Sequence, residues 1–496
     1  MIGLAGLMSA CVADRDDCAN NASCQAAGDS GIGGTSGTGG TSGTGGQGGQ
    51  AGVGGSAGSD GGSCDPSKPP SEENCLVDDA YAVFVDGTAS TSGDGSKASP
   101  FKTIGEGIAA AAGKLVLVCD TTYDEKLSIN TATKLYGGFN CADWSVVSGE
   151  QAIVKPTTAG YALEVSNVTG SVVVSNLELD SIDGTAAGES SIATFVHDSS
   201  DVQFVGVKML AGKGVKGADG TLTPFTMPPT TDLNGNQAKL TAGGDPKPYT
   251  TCPGGGTTTG AIGGTAPNQG GGAGLPDFGA GQGGVPGSPT DCGNGGSGKN
   301  GGGASPAPDA AGAASMGSIN ASGFTPSNGG DGTAGSPGQG GGGGAADGAG
   351  GGGSGGAGGC GGNGGTGGKG GGASIALLVL DSTVAVSGSE LGTSDAGAGG
   401  KGVAGQGGMP VGGNGGFQST LGGCPGGKGG AGGKGAAGGG GAGGVSVPVV
   451  WKGAAAPTVD GSSTLTPGTK GAKGVGGNVG SNDGVDGASQ PTLEVQ

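Results

Sequence analysis

The sequence predicts an all-β fold: a parallel β-helix opened by one cap helix and interrupted by long Gly-rich excursions. Three observations carry this. Residues 81–212 hold many short β-branched runs separated by Asn, Asp, Ser, Thr or Gly. One amphipathic helix stands near their start, suited to covering the open end of a stacked core and out of place in a sandwich. A strand–turn–strand unit also recurs far along the chain, as stacking repeats do.

The amino end, MIGLAGLMSACVADRDDC, is a short apolar run closing on Met8-Ser9-Ala10-Cys11. It resembles a bacterial lipobox, in which the Cys becomes the lipidated first residue of the mature chain, although Leu is more usual where Met8 stands. The run is short and no Lys or Arg precedes it, as a start codon placed too late would leave a secretory signal. Residues 1–11 are read as a lipoprotein-type signal with lipidation at Cys11, and residues 12–80 as a Gly/Ser/Thr-rich tether. Val12 and Ala13, not Asp, follow Cys11, which favours the outer membrane over inner-membrane retention. No other apolar run nears the roughly 20 residues a spanning helix needs.

From Tyr81 the pattern changes. YAVFV (81–85) is a strand ending at the turn pair Asp86-Gly87. In SPFKTIGEGIAAAAGK, Thr103 and Glu106 have capping-box spacing, Ile104 and Ile108 share a helix face, and Gly113 can close the helix. Strand-length runs follow: LVLVC (115–119), TKLYGGF (133–139), AIVKP (152–156), YALEVS (161–166), VVVSNLEL (172–179), SIATFV (191–196) and VQFVGVKML (202–210). LVLVC, TKLYGGF and AIVKP are expected in stacked parallel coils. Cys119 and Cys141 lie about one coil apart; coils stack roughly 4.8 Å apart, which puts the two within disulfide reach.

The string VDGTASTSGDGSKASPFKTIGEGIAAAAGKLVLVC, followed by LYGGFN and a Trp, resembles the opening of bacterial right-handed parallel β-helix proteins of the pectin-lyase-like class. The resemblance covers roughly residues 81–212 and implies a right-handed β-helix. The Gly-rich remainder is similar in composition to PGRS-type bacterial surface proteins.

SIATFVHDSSDVQF (191–204) returns as SIALLVLDSTVAV (374–386) and, more loosely, as VSVPVVWKG (445–453). Ile192, Ile375 and Val447 take matching places. A tag follows each copy: KGVKG (213–217), KGVAG (401–405) and KGVGG (473–477), each leading into a Gly-rich stretch. The three copies are expected in one stack, with the tracts leaving from one edge and lying side by side. The predicted order is thus 81–212 as β-helix start, 213–373 and 396–444 as Gly-rich excursions, 374–395 and 445–466 as returning coils, and 467–496 as a Gly-rich tail. Of residues 329–372, 28 of 44 are Gly, against 15 of 132 in 81–212. Such tracts have too few side chains to bury a core. Their ordered alternative is packed threefold helices of the polyglycine-II or polyproline-II kind, with Gly facing neighbours and Asn, Thr or Lys facing out, as in GGNGGTGGKGGG (361–372).

With Cys11 lipidated, ten Cys remain, and an even number in an exported chain reads as disulfides. Cys119, Cys141, Cys252, Cys292, Cys360 and Cys424 are the candidates, with Cys360–Cys424 expected between two excursions.

Few residues offer chemistry. The resemblance implies Arg or Lys near calcium for lyases, and clustered Asp with GHG and RxK strings for hydrolases. The only Arg is Arg15, in the tether, and neither string occurs. His197, the only His, reads as packed or coil-edge. GNGGSGKN (293–300) is a Walker-like string with Asn300 where Ser or Thr is needed and no preceding strand. Asp232-Leu233-Asn234-Gly235-Asn236 starts like an EF-hand loop but lacks Gly at its sixth position and Glu at its twelfth. Asp86 and Asp94 read as turn residues. No metal, cofactor or catalytic residue is therefore expected. The net charge of −19 makes nucleic acid an unfavourable partner. The reading is a non-enzymatic, lipid-anchored structural or adhesion protein of the outer membrane or cell surface, or else a secreted one. It touches the membrane through its lipid alone, and its partners are envelope or surface components, polysaccharide among them. The alternative is a polysaccharide-active β-helix protein, lyase-like or glycan-binding. A cluster of Lys with carboxylates on one sheet face would favour that alternative.

Overall fold

The computed structural model describes residues 64–286, 292 and 295–496. Residues 1–11 with Cys11, together with Cys18 and Cys24, lie outside the described residues. Within unit Ser63–Gln496 the fold is all-β, with one short α-helix and three sheets of parallel strands.

The first sheet runs, in spatial order, Ala82–Val85, Leu115–Cys119, Thr133–Phe139, Val172–Ser175, Val202–Val205, Val384–Ser387 and Thr458–Val459. The second holds Leu127–Ile129, Leu163–Ser166, Ser191–His197, Ser374–Leu380, Ser446–Lys452 and Thr492–Glu494. The third holds Thr122–Tyr123, Ala152–Val154, Leu177–Asp180, Lys208–Ala211, Glu390–Thr393 and Thr464–Thr466. Successive passes of the chain lay one strand on the second, the first and then the third sheet. Alternation selects the inward side chains. They form rows in register: Val116, Leu135, Val174, Phe204 and Val386 in the first sheet, and Val154, Leu179, Met209 and Leu391 in the third. These belong to one buried cluster. Full burial of a side chain such as Phe204 contributes about 1.5–3 kcal/mol.

Two of the expected strands are each split in two. VVVSNLEL breaks at Asn176 (φ 54°) and VQFVGVKML at Gly206 (φ 61°), the corner between first and third sheets. Gly388 (φ 56°) repeats it, and its positive φ is why only Gly or Asn occupies this corner. LVLVC and TKLYGGF pair in parallel, as expected; AIVKP lies on the third sheet, beside Thr122–Tyr123 and Leu177–Asp180.

The recurring unit stacks as the repeat requires. Ser191 pairs with Ser374 and Ser374 with Ser446, while Ile192, Ile375 and Val447 share one row. The conserved spacing has a physical cause in the Ser hydroxyls. Each buried Oγ donates to a carbonyl of the turn leaving the third sheet: Ile182, Gly212 and Ser394, all at 2.7 Å.

The cap helix spans Ile104–Ala110 and carries the expected capping box. Its first amides also donate to Glu125, at 2.7 Å from Ile104 and 2.9 Å from Gly105. Gly107 is required by close approach, since a Cβ there would meet Val85 and Val116. The folded body begins before Tyr81, which shortens the expected 12–80 tether. Cys64 is bridged to Cys75, and Leu76 is fully buried with Phe84, Leu117, Phe139 and Trp144. Apolar burial, invisible in a short mixed segment, holds it there.

The Gly-rich tracts lie side by side. Amides of Gly329, Gly332, Gly335, Gly338, Gly341 and Gly344 donate to carbonyls of Gly368, Gly365, Gly362, Gly359, Gly356 and Gly353. The central tract donates in turn: Gly359 to Gly430, Gly362 to Gly433, Gly365 to Ala436 and Gly368 to Gly439. It also accepts from Gly400, Val403 and Gln406, through Lys369, Thr366 and Asn363. Every ladder advances by three residues. A Cβ on Gly362, Gly365 or Gly368 would overlap the carbonyl oxygen of Gln406, Val403 or Gly400. Asn363, Thr366 and Lys369, between them, are partly or fully exposed. The tracts after the three tags are adjacent, with the Gly235 amide donating to Asn414 and the Gly440 amide to Asn482.

Excursion 213–373 also contains two antiparallel pairs, Lys247–Tyr249 with Thr258–Gly260 and Gly317–Asn320 with Gly323–Pro326. The 467–496 tail ends in a strand, Thr492–Glu494, on the second sheet. Cys119–Cys141 is bridged, but Cys360 and Cys424 are not joined: the bridges are Cys252–Cys360 and Cys292–Cys424. The Cys424 carbonyl accepts from Gly353, seven residues along the central tract from Cys360. At about 3.1 Å per residue the two sit roughly 20 Å apart, beyond bridging distance.

Candidate functional site

Outward positions of the third sheet gather a mixed-charge face. Alternation in LELD turns Leu177 and Leu179 inward and Glu178 and Asp180 outward; Lys208 faces outward beside Glu178. Glu178, Lys208 and Glu390 share one row. Lys155 pairs with Asp180 at 3.1 Å, and Lys208 with Glu178 at 3.2 Å. Lys208 thus stands on the strand to one side of the carboxylates, and Lys155 directly after the strand Ala152–Val154 to the other. Asp180 is buried, and its Oδ1 has no hydrogen-bond partner. Burial pushes its carboxyl above the ordinary aspartate range, and the bond from Lys155 only partly offsets this. The Glu178 hydrogen bond pushes the Lys208 ammonium up, so Lys208 stays protonated and is unsuited to abstract a proton. Lys155 is more than half exposed, so its pair is worth only about 0–1 kcal/mol.

Lys155 and Asp180 are 25 residues apart, and neither sits in a motif. The signal that could have found them is the period-two pattern of LELD and VKML laid over the stacking repeat.

The nominated residues go elsewhere. Asp86 lies near Cys119 and Cys141, the one cluster of three ligand-type residues among the described residues, but both sulfurs are spent in the bridge. The Asp86 carboxylate accepts from the Thr88 amide and hydroxyl, and Asp94 from the Ser96 amide, as turn residues do. In the EF-hand-like string, Asn234 accepts from the Asn414 amide at 2.8 Å, and Asn236 donates to the Asp245 carbonyl at 2.9 Å. In the Walker-like string, Gly298 and Lys299 amides bond Pro425 and Gln282 within the side-by-side tracts. His197 is buried on the second sheet. Its Nδ1 is 2.9 Å from Asp198, its Nε2 is 3.3 Å from Glu164, and its ring stacks on Phe195. The packed reading of His197 fits this.

No helix among the described residues is long and apolar enough to cross a membrane. No protein-family model matches the chain, and no curated protein or solved structure matches it.

Proposed function

We propose a non-enzymatic structural or adhesion protein of the cell surface, built as a right-handed parallel β-helix carrying a bundle of polyglycine-II-type helices. The observation behind this reading is the three-residue ladder joining tracts that leave one edge of the stack. A threefold extended helix has that period. A bundle of this kind offers few side chains for chemistry but a stiff body, closed by bridges Cys252–Cys360 and Cys292–Cys424. Four bridges accord with an oxidising, exported location. In composition the chain resembles PGRS-type surface proteins. Lipid at Cys11 is its membrane contact, the outer membrane its destination, and envelope or surface components its partners.

The experiment is to express the full chain and Cys11→Ser in a Gram-negative host with a complete signal, and to label with a palmitate analogue and a membrane-impermeant biotin reagent. Wild type should take both labels and remain with the outer membrane. Equal lipid labelling of both proteins, or no biotin on wild type in intact cells, rejects the reading.

The charged face of the third sheet favours a second reading, a polysaccharide-active protein. It predicts new reducing or unsaturated ends when the full chain meets acidic polysaccharides, lost in Asp180→Asn. The structural reading predicts no turnover in either protein.

A further inference from the structure

A cleft of about 440 Å³ lies between the stack and the antiparallel pair Gly317–Asn320/Gly323–Pro326. The pair folds back over the second sheet, where Ile319 and Phe324 join Ile192, Phe195, Ile375 and Leu378 in a buried cluster. The Tyr161 hydroxyl donates to the Ser322 carbonyl at 3.1 Å and ties the pair's connection to the stack. Tyr161, Ile192, Phe324 and Pro326 line the cleft together with Glu189 and Ser190. Its volume falls within the roughly 300–1,000 Å³ of small-ligand sites.

The polar groups are fixed in place. One Glu189 carboxylate oxygen, Oε2, accepts from the amides of Thr185 and Ala186 at 2.6 and 2.7 Å and from the Thr185 hydroxyl at 3.0 Å. These bonds hold the carboxylate ionised. Its Oε1 takes no hydrogen bond from the described residues. The Ser190 hydroxyl oxygen accepts from the Ala373 amide at 2.9 Å, which leaves its hydrogen to donate. The cleft therefore offers an aromatic and aliphatic lining, one open anionic acceptor and one hydroxyl donor. In a chain with 3% aromatic residues, two of them meet here.

We propose that this cleft binds a neutral pyranose unit of a glycan. A pyranose shows a patch of C–H groups, which suits the partly exposed Tyr161 ring backed by the edge of Phe324, and a rim of hydroxyls, which suits Glu189 and Ser190. The ionised Glu189 strengthens bonds from hydroxyl donors and repels a uronate or sulfated sugar. The site lies apart from the charged face of the third sheet, and it stands or falls independently of the Cys11 anchor.

The test titrates the full chain with methyl β-D-glucopyranoside, methyl β-D-galactopyranoside and methyl α-D-galacturonate, followed by saturation-transfer NMR and calorimetry. At least one neutral glycoside should bind with a Kd of about 1–10 mM, and the galacturonate roughly tenfold more weakly. Tyr161→Ala should weaken neutral binding about tenfold, while Tyr161→Phe, which keeps the ring, should bind within about twofold of wild type. Glu189→Gln should erase most of the preference against galacturonate. Both Tyr161 variants lose the hydroxyl tie to Ser322, so the difference between them reads the ring alone; Tyr161→Phe and Glu189→Gln decide the matter if Tyr161→Ala unfolds. Failure of both neutral glycosides to bind, or equal binding of all three sugars unchanged in Glu189→Gln, overturns the proposal.

Discussion

In the stack, the row Val116, Leu135, Val174, Phe204 and Val386 fills the interior with side chains. In the Gly-rich bundle, the space beside Gly355, Gly362 or Gly441 is filled by a neighbouring chain's carbonyl oxygen. Both regions pair their backbone amides, but the stack loses stability when atoms are removed and the bundle when they are added. The bundle also gains little from the hydrophobic effect while ordering Gly, the residue with most conformational entropy to lose. What offsets that cost is dense amide pairing and covalent closure of long loops.

The largest effect should come from the covalent closure. Cys252–Cys360 closes a separation of 108 residues and Cys119–Cys141 one of 22. On chain entropy these are worth about 5 and about 3 kcal/mol. Cys252→Ser/Cys360→Ser should therefore lower the unfolding free energy more than Cys119→Ser/Cys141→Ser, measured by denaturant titration without reductant. The reverse order would show that the bundle is held by its amide ladders and the Cys292–Cys424 bridge, with little added by Cys252–Cys360.

Next come the two opposed substitutions. Phe204→Ala, in the fully buried first-sheet row, should cost about 3–5 kcal/mol. Gly355→Ala places a methyl on the Gly341 carbonyl and should cost about 1–3 kcal/mol or more. Gly407→Ala meets nothing within 4 Å and should change stability by no more than about 0.5 kcal/mol. Thermal melts of the three variants would break the comparison if Gly355→Ala and Gly407→Ala behaved alike.

What the sequence displayed of this division follows from where each signal is written. Thr103 and Glu106 are neighbours in sequence, so the cap helix was legible. The Ser191, Ser374 and Ser446 register was legible because the repeat preserves a buried hydroxyl that each coil needs. The spacing GGNGGTGGKGGG showed which positions face neighbours. Which tracts become neighbours was not legible: in 361–372 nearly every third residue is interchangeable, so nothing local favours Cys252 over Cys424 as the partner of Cys360. The Lys155–Asp180 contact and the Tyr161–Glu189 cleft were equally hidden, because stacking and a returning antiparallel pair bring together residues with no motif between them.

The smallest effect separates the regions by the sign of their response to pH. Burial raises the Asp180 carboxyl of the stack above its ordinary 3.8. A raised acid contributes stability that is complete below 3.8 and lost as pH climbs through the folded value. In the bundle, Asp483 accepts from the Gly476 and Gly480 amides and is pushed down to about 2. A lowered acid contributes stability above 3.8 that is lost as pH falls toward about 2. Asp483 is only partly buried and is also paired with Lys473 at 3.0 Å, so the effect should be local and modest. Acidification from pH 5 to pH 2 should thus lower the hydrogen-exchange protection of Gly476 and Gly480, relative to the intrinsic rate at each pH, before it affects the stack. Asp483→Asn should show fast exchange at these two amides already at pH 5. Asp180→Asn should raise the melting temperature by an amount that grows from pH 3 to pH 7, since the exposed Lys155 loses little when left alone. If Asp180→Asn were instead more harmful at pH 7 than at pH 3, the ion pair with Lys155, not burial, would govern that carboxyl. The contrast between an acid held against its burial and one held by neighbouring amides would then be lost.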